Sequence, residues 1–220
     1  MIHYIIECFA QRMPLDAREK EPVLCAAVAI GRDPAILERI MDETVHLAIW
    51  QRPAPEYGAA VSELDWDAID DIDDEMDVVN VPRALPISLA NAGYLADLGL
   101  ADELAALAVR FAKIVACDRL RVRLDVIRTD ACRKFHADNV TVRLLMPLVG
   151  PGTQWLAARG VDADPPVADG QLQIGEVGLF KGRVWAERPE ILHRSPPVAA
   201  TGITRLLLAI DPLGGVHDQR

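Results

Sequence analysis

The chain has 220 residues, of which 51% are hydrophobic, and a formal net charge of −10. This is enough apolar material to bury the core of one large globular domain or two small ones. The negative charge argues against nucleic acid and anionic membranes as partners, because both attract clustered lysine and arginine. No apolar run approaches the roughly 20 residues that cross a bilayer, and the first residues lack the basic flank of a signal peptide, so we expect a cytoplasmic protein.

Helix signals dominate the first part of the chain, residues 1–117. Asp33 followed by Pro34 is typical of a helix N-terminus, and apolar residues follow at rough helical spacing. A run of acidic residues between 65 and 77 predicts a solvated helix face, because the acids do not have EF-hand spacing and lack its central glycine. In ADELAALAVRFAKIVAC, 101–117, apolar residues recur every three or four positions. We therefore predict a mainly helical N-terminal region.

The pattern changes at residue 118. Alternating or continuous apolar stretches rich in β-branched residues are typical of strands, and turn signals such as GPGT, KG and SPP separate them. These stretches predict a β-rich C-terminal domain over residues 118–213, and hence an α+β chain, although the two regions could form one integrated domain. The strand-like stretches are 120–128, 140–150, 171–185, the residues before His193, and 203–212.

The β region contains candidate metal ligands. His136 and Asp138 are two residues apart, so in an extended segment both side chains project to the same face and could chelate one ion. His193 comes from a later segment. Two imidazoles and one carboxylate on one face of a metal leave other positions open, which is the arrangement of non-haem Fe(II) sites that bind a cosubstrate and O₂. An ordinary hydrogen-bonded His–Asp pair is the alternative interpretation.

Arg205 lies twelve residues after His193 and interrupts the apolar stretch ITRLLLAID. An unpaired guanidinium is costly to bury, and a ligand carboxylate would satisfy it with two parallel hydrogen bonds. An outward-facing strand residue or an internal salt bridge would explain it equally well. Arg194 and Ser195 flank the distal histidine, where they could reach a cosubstrate or stabilise the turn before Pro196.

Four short motifs occur together and in order. They are FHAD at 135–138, GPGTQWL at 150–156, KGRVW at 181–185 and HRSP at 193–196. In this combination the chain resembles the bacterial domain-of-unknown-function family 1826 over roughly residues 80–213. No activity is established for that family, so the resemblance alone implies no substrate.

The motif order is in turn similar to that of the 2-oxoglutarate and Fe(II) dependent oxygenases, which have a double-stranded β-helix of the jelly-roll or cupin-like kind. This similarity implies that His136, Asp138 and His193 bind iron and that Arg205 holds the far carboxylate of 2-oxoglutarate. It implies no catalytic side chain beyond the metal ligands. The implied fold is a mainly helical N-terminal part packed on a C-terminal double-stranded β-helix.

Three functions fit the sequence. The first is hydroxylation of an unknown small-molecule or protein substrate with Fe(II) and 2-oxoglutarate. The second is cupin-like binding or handling of Zn²⁺ without catalysis, since zinc binds a generic N/O site more tightly than iron. A closed zinc site needs a fourth ligand, for which Cys132 and His217 are candidates. The third is a docking surface for a protein partner, formed by the helical N-terminal part and its acidic stretch, with a purely structural metal. The sequence leaves a homodimer open.

Overall fold

Strands make up most of the regular structure. The computed structural model describes residues 26–94, 99–130 and 132–214. The strands are β1 (Val28–Gly31), β2 (Leu47–Trp50), β3 (Ile72–Asp77), β4 (Arg119–Ile127), β5 (Val142–Val149), β6 (Gln154–Ala157), β7 (Gly170–Gln171), β8 (Val177–Lys181), β9 (Ile191–Arg194) and β10 (Arg205–Leu213). A major sheet of seven strands has the order β1-β2-β8-β5-β10-β4-β3, and a minor sheet of three has the order β7-β6-β9.

Helices are few in the described part of the chain. The α-helices are α1 (Gly58–Ser62), α2 (Val81–Asn91) and α3 (Leu100–Val115), and short 3₁₀ helices cover Pro34–Met41, Val78–Asn80 and Ala158–Gly160. Helix α3 confirms the helix expected over 101–117, and it buries the predicted apolar face, including Leu104 and Phe111. None of the helices in this part of the chain combines the length and the apolar character that spanning a bilayer requires.

The major sheet separates two hydrophobic layers, because successive side chains of a strand point to opposite faces. On β10, Leu206, Leu208 and Ile210 pack into the layer shared with α2 and α3. Leu207 and Ala209 pack into the other layer, which the minor sheet closes with side chains of β6 and β9. Two facing sheets of this kind are consistent with the predicted jelly-roll fold.

The structure does not support the predicted mainly helical N-terminal part. Strands β1, β2 and β3 all precede residue 117 and belong to the major sheet. Asp33 does cap a helix, since its carboxylate accepts the Ala35 N–H at 2.8 Å, but that helix is a 3₁₀ helix of eight residues. A short apolar run such as LAIW is too short to show either the helix period or the strand period. Whether it forms a strand therefore depends on the strands that it can pair with. The proposed boundary near residue 117 stays a prediction.

The helix face predicted for the acidic run is wrong for its second half, which forms β3, an edge strand of the major sheet. Its carboxylates contact arginines of the neighbouring strand β4. Asp73 pairs with Arg121 through two bonds of 2.6 Å, and Glu75 lies 3.2 Å from Arg119. Charged side chains on an edge strand discourage pairing with a further strand. Cross-strand ion pairs at a sheet edge therefore account for Asp73, Glu75 and Asp77 of this run.

Candidate metal centre

The structure brings the three predicted ligands together. The His136 N–H donates to the His193 carbonyl at 3.0 Å and the His193 N–H donates to the His136 carbonyl at 2.9 Å, so the FHAD segment pairs with β9. This antiparallel bridge places the two imidazole rings 4.8 Å apart. Asp138 follows in the same segment. One ligand-type atom from each of the three side chains lies within 4.8 Å of the other two.

The distances within this group suit one shared ion. Asp138 Oδ2 lies 3.0 Å from His193 Nε2, and Asp138 Oδ1 lies 3.6 Å from His136 Nε2. Adjacent corners of an octahedron are about 3 Å apart when each metal–ligand bond is about 2.1 Å. His136 Nδ1 is 2.8 Å from the Lys134 carbonyl, which can only accept, so Nδ1 carries a proton and Nε2 is the ring nitrogen that faces Asp138.

Burial and charge set the protonation of these groups. His193 is 7% exposed and its ring lies 5.0 Å from that of Phe180. Burial lowers the pKa of His193, which favours the neutral imidazole that a metal needs. Burial alone would raise the pKa of Asp138, but close contact with His136 and His193 and the charge of Arg143 outweigh it and hold the pKa well below its usual value. Hydrogen bonding to Asp138 raises the pKa of His136, which favours the protonated ring while no ion lies between the two side chains. The site thus offers two imidazole nitrogens and one carboxylate as ligand groups.

An arginine and a second carboxylate, both missed at the level of sequence, complete the surroundings of Asp138. Arg143 Nη1 lies 2.6 Å from Asp138 Oδ2. The same guanidinium makes two 2.7 Å bonds to Asp211, through Nε and Nη2. The signal that could have found them is composition, because each is the one charged residue inside an apolar strand segment, VRLLMPLV and LLLAIDPL respectively.

The KGRVW motif makes backbone hydrogen bonds to the segment that carries Asp138. The Gly182 N–H donates to the Thr141 carbonyl and the Arg183 N–H donates to the Asp138 carbonyl, both at 2.8 Å. A Cβ at Gly182 would lie 2.1 Å from the Val140 oxygen, so only glycine fits here. Lys181 points to the other side of β8, where its Nζ donates to the Asp42 carbonyl at 2.6 Å.

A cavity of about 630 Å³ opens beside the ligand group, a size typical of small-molecule sites. Cys132, the candidate fourth ligand, lines this cavity but is not part of the group of atoms within 4.8 Å. The other candidate, His217, lies outside the described residues. Among the residues that the structure describes, the site is therefore open. Further lining residues include Arg143, Leu145, Thr153, Arg194, Ser195 and Leu207.

Sequence comparison places the chain in a family. The model of the family described as "Protein of unknown function (DUF1826)" matches residues 31–211. The chain belongs to this family. The match covers every strand from β2 to β9 and most of β10, and it includes all three residues of the candidate metal centre. No curated protein matches the chain.

Comparison with solved structures finds several enzymes at low sequence identity. A rice dioxygenase for auxin oxidation is 14% identical with a TM-score of 0.47, over 79% of this chain and 75% of that one. A Pseudomonas putida prolyl-4-hydroxylase is 13% identical with a TM-score of 0.43, over 81% and 97%. A dioxygenase for auxin oxidation from Arabidopsis thaliana, in complex with 2-oxoglutarate, is 12% identical with a TM-score of 0.41, over 90% and 78%.

Arg205 of this DUF1826 protein is buried with 1% exposure. Its Nε donates to the Pro151 carbonyl at 2.6 Å, while Nη1 and Nη2 have no hydrogen-bond partner among the described residues. Burial lowers the pKa of Arg205 to about 10. Strand alternation places Arg205 on the same face of β10 as Leu207 and Ala209, which line the cavity, although Arg205 itself is not among the lining residues.

The GPGT motif packs against the side chain of Arg205. Gly150 has a φ of +75°, and a Cβ there would come within 3.0 Å of the Arg205 side chain. Pro151 supplies the carbonyl that the guanidinium contacts. Arg205 and this motif are more than 50 residues apart in the sequence, and the fold brings them into contact. The family motif and the buried cation thus form one structural unit.

Arg194 and Ser195 also border the cavity. Arg194 follows His193 on β9, so alternation directs its side chain to the opposite face, where Nε donates to Gln154 at 2.8 Å and the guanidinium lies 4.2 Å from the centre of the Phe135 ring. The Ser195 N–H donates to the Cys132 carbonyl at 3.0 Å. These contacts stabilise the local structure, and cosubstrate binding by the two residues stays a prediction.

Proposed function

We propose that this protein is an oxygenase that uses Fe(II) and 2-oxoglutarate to hydroxylate a substrate that the sequence does not identify. The observation that carries the proposal is the buried guanidinium of Arg205, whose two Nη atoms have no partner among the described residues. Such a group is unfavourable unless an anion joins it, and it lies on the same sheet face as the cavity that holds the His–Asp–His group.

The residues present fit a divalent ion. Asp138 Oδ2 is buried and lacks a partner with hydrogen-bond geometry, although Arg143 and His193 are within 3.0 Å, so its lone pairs are not fully used. His136, Asp138 and His193 would hold the ion, and three ligands leave positions for a cosubstrate and O₂. Bound iron would supply the redox chemistry.

The chain's own residues would bind and orient the cosubstrate. In this proposal Arg205 pairs with the far carboxylate of 2-oxoglutarate through the two Nη groups that are otherwise unsatisfied. Leu145, Leu207 and Ala209 supply an apolar wall to the cavity, which limits the access of water. The side chain of Arg143 takes no part in this binding, because carboxylates of the protein already engage it.

Anaerobic titration of metal-stripped protein with Fe(II) and then 2-oxoglutarate tests the proposal. We expect the weak visible charge-transfer band that forms when this cosubstrate chelates Fe(II). His193→Ala should abolish the band, since one of three ligands is lost. Cys132→Ser is the matched control: its thiol lines the cavity outside the ligand group, so the band should persist.

Two results would contradict the oxygenase. One is the absence of any band when wild-type protein, purified without chelators, carries stoichiometric zinc. The other is loss of metal binding in Cys132→Ser, which would identify a fourth protein ligand and hence a closed site of the structural zinc type. Either result would leave non-catalytic metal binding as the function of this centre.

A further inference from the structure

The carboxylate of Asp138 is held by a side chain that the proposed chemistry does not use. Arg143 stands on β5, on the face that looks into the cavity, and its Nη1 lies 2.6 Å from Asp138 Oδ2. Its other two nitrogens bond Asp211 on the neighbouring strand β10. The guanidinium therefore connects the candidate metal ligand to a carboxylate that lies 68 residues after Arg143 in the sequence.

The charged side chains of this network are largely buried, unlike those of an ordinary surface ion pair. The side chains of Arg143, Asp138 and Asp211 are only 17%, 15% and 7% exposed, so solvent screens their charges little. Arg123 adds a contact to Asp211 at 3.5 Å. The paired planar geometry of Arg143 and Asp211 fixes the orientation of the guanidinium. Its remaining nitrogen, Nη1, is thereby kept 2.6 Å from Asp138 Oδ2, as a close ion pair without hydrogen-bond geometry.

We propose that Arg143 is a positioning residue for the metal centre and that Asp211 holds Arg143 in place. The inference rests on the proposed metal site. An aspartate carboxylate rotates easily about its last torsion, so a lone Asp138 could turn one, both or neither oxygen toward an ion. Contact with Arg143 selects one rotamer. Partners of this kind, one step removed from the metal, orient its ligands.

Arg143 could instead act on the metal ion by simple charge repulsion. Repulsion and positioning change the metal affinity in opposite directions. A cation beside the site repels a divalent ion, so removing its charge would tighten metal binding if repulsion dominated. If positioning dominates, removal weakens binding. Lysine separates the two further, because it keeps the charge but lacks the planar fork that bridges Asp211 and Asp138.

Titration of the metal-stripped full chain with Co(II) tests the proposal, with binding affinity and the visible d–d spectrum as readouts. Arg143→Gln should weaken Co(II) binding about 10- to 100-fold and change the spectrum, because the carboxylate is no longer held in one orientation. Arg143→Lys should bind with intermediate affinity. Asp211→Asn should shift binding in the same direction as Arg143→Gln, because it leaves Arg143 without its orienting partner.

Arg119→Gln is the control. Arg119 also pairs with carboxylates, at 3.2 Å from Glu75 and 3.4 Å from Asp77, but its side chain is 55% exposed and does not line the cavity. Its Co(II) affinity and spectrum should equal those of the wild type. If Arg143→Gln does not fold because Asp211 is left unpaired, the double variant Arg143→Gln, Asp211→Asn leaves neither side chain charged and should show the same weakened binding.

The outcomes distinguish this inference from the proposal on which it rests. If wild-type protein binds no Co(II), the metal centre itself is refuted. If the wild type binds and Arg143→Gln or the folded double variant binds equally well or more tightly with an unchanged spectrum, the metal centre stands and the positioning role of Arg143 is refuted.

Discussion

Gly182→Ala is expected to lower the free energy of unfolding by about 3 kcal/mol and to weaken metal binding at the same time. A Cβ at this position would lie 2.1 Å from the Val140 oxygen and 2.8 Å from the Asp138 oxygen. Both are backbone atoms, so no side chain can rotate away to make room. The strain can be relieved only by moving backbone, either the turn at Gly182 or the segment 138–140, which it contacts through hydrogen bonds and which carries a candidate ligand.

Urea unfolding measures the loss of stability, and Co(II) titration of the folded variant measures the effect on the site. Gly58→Ala is the matched control, because a Cβ at Gly58 meets nothing within 4 Å and alanine is the better helix former at the start of α1. Its stability and metal affinity should stay at or slightly above the wild-type values. Wild-type stability in Gly182→Ala would show that the KGRVW turn does not lie against the ligand segment in this way.

The parts of the fold that the sequence predicts correctly are those with a long, unambiguous period. Helix α3 repeats its apolar residues over four turns, the nine-residue strand β4 alternates, and β10 contains a long apolar run. The proximity of His136 and Asp138 also follows from local geometry, because an extended segment turns both side chains the same way.

The parts that the sequence does not predict depend on contacts distant along the chain. Strands β1 and β2 have four residues each, too few to show a period. Strand β3 reads IDDEMD, and its acids become favourable in a strand only because the arginines of β4 face them, more than 40 positions later. The pairing of Arg143 with Asp211 likewise arises because β5 and β10 are neighbours in the sheet.

Arg205→Met is expected to raise the stability of the protein while abolishing the binding of 2-oxoglutarate. In the free protein the guanidinium is 1% exposed and its two Nη atoms have no partner among the described residues. Methionine removes this buried charge and fills much of its volume. Loss of the bond from Nε to Pro151 offsets part of the gain, so the free energy of unfolding should rise by about 1 kcal/mol.

The same substitution removes the group that is proposed to pair with the far carboxylate, so 2-oxoglutarate affinity should fall by at least about 100-fold, equivalent to about 3 kcal/mol. Urea unfolding without ligand gives the first quantity, and the charge-transfer titration gives the second. Arg121→Met, which loses only an exposed ion pair, should change stability by less than about 0.5 kcal/mol and leave the titration unaltered.

A rise in stability together with a loss of binding is expected for a residue that serves ligand binding, because that residue lowers the stability of the ligand-free protein. The stability measurement and the binding measurement can each contradict a different part of this prediction. A large fall in the stability of Arg205→Met would mean that the folded protein already satisfies this guanidinium, and the anion site would lose its physical basis. Unchanged binding with raised stability would mean that Arg205 is an unfavourable core residue and that another cation holds the cosubstrate.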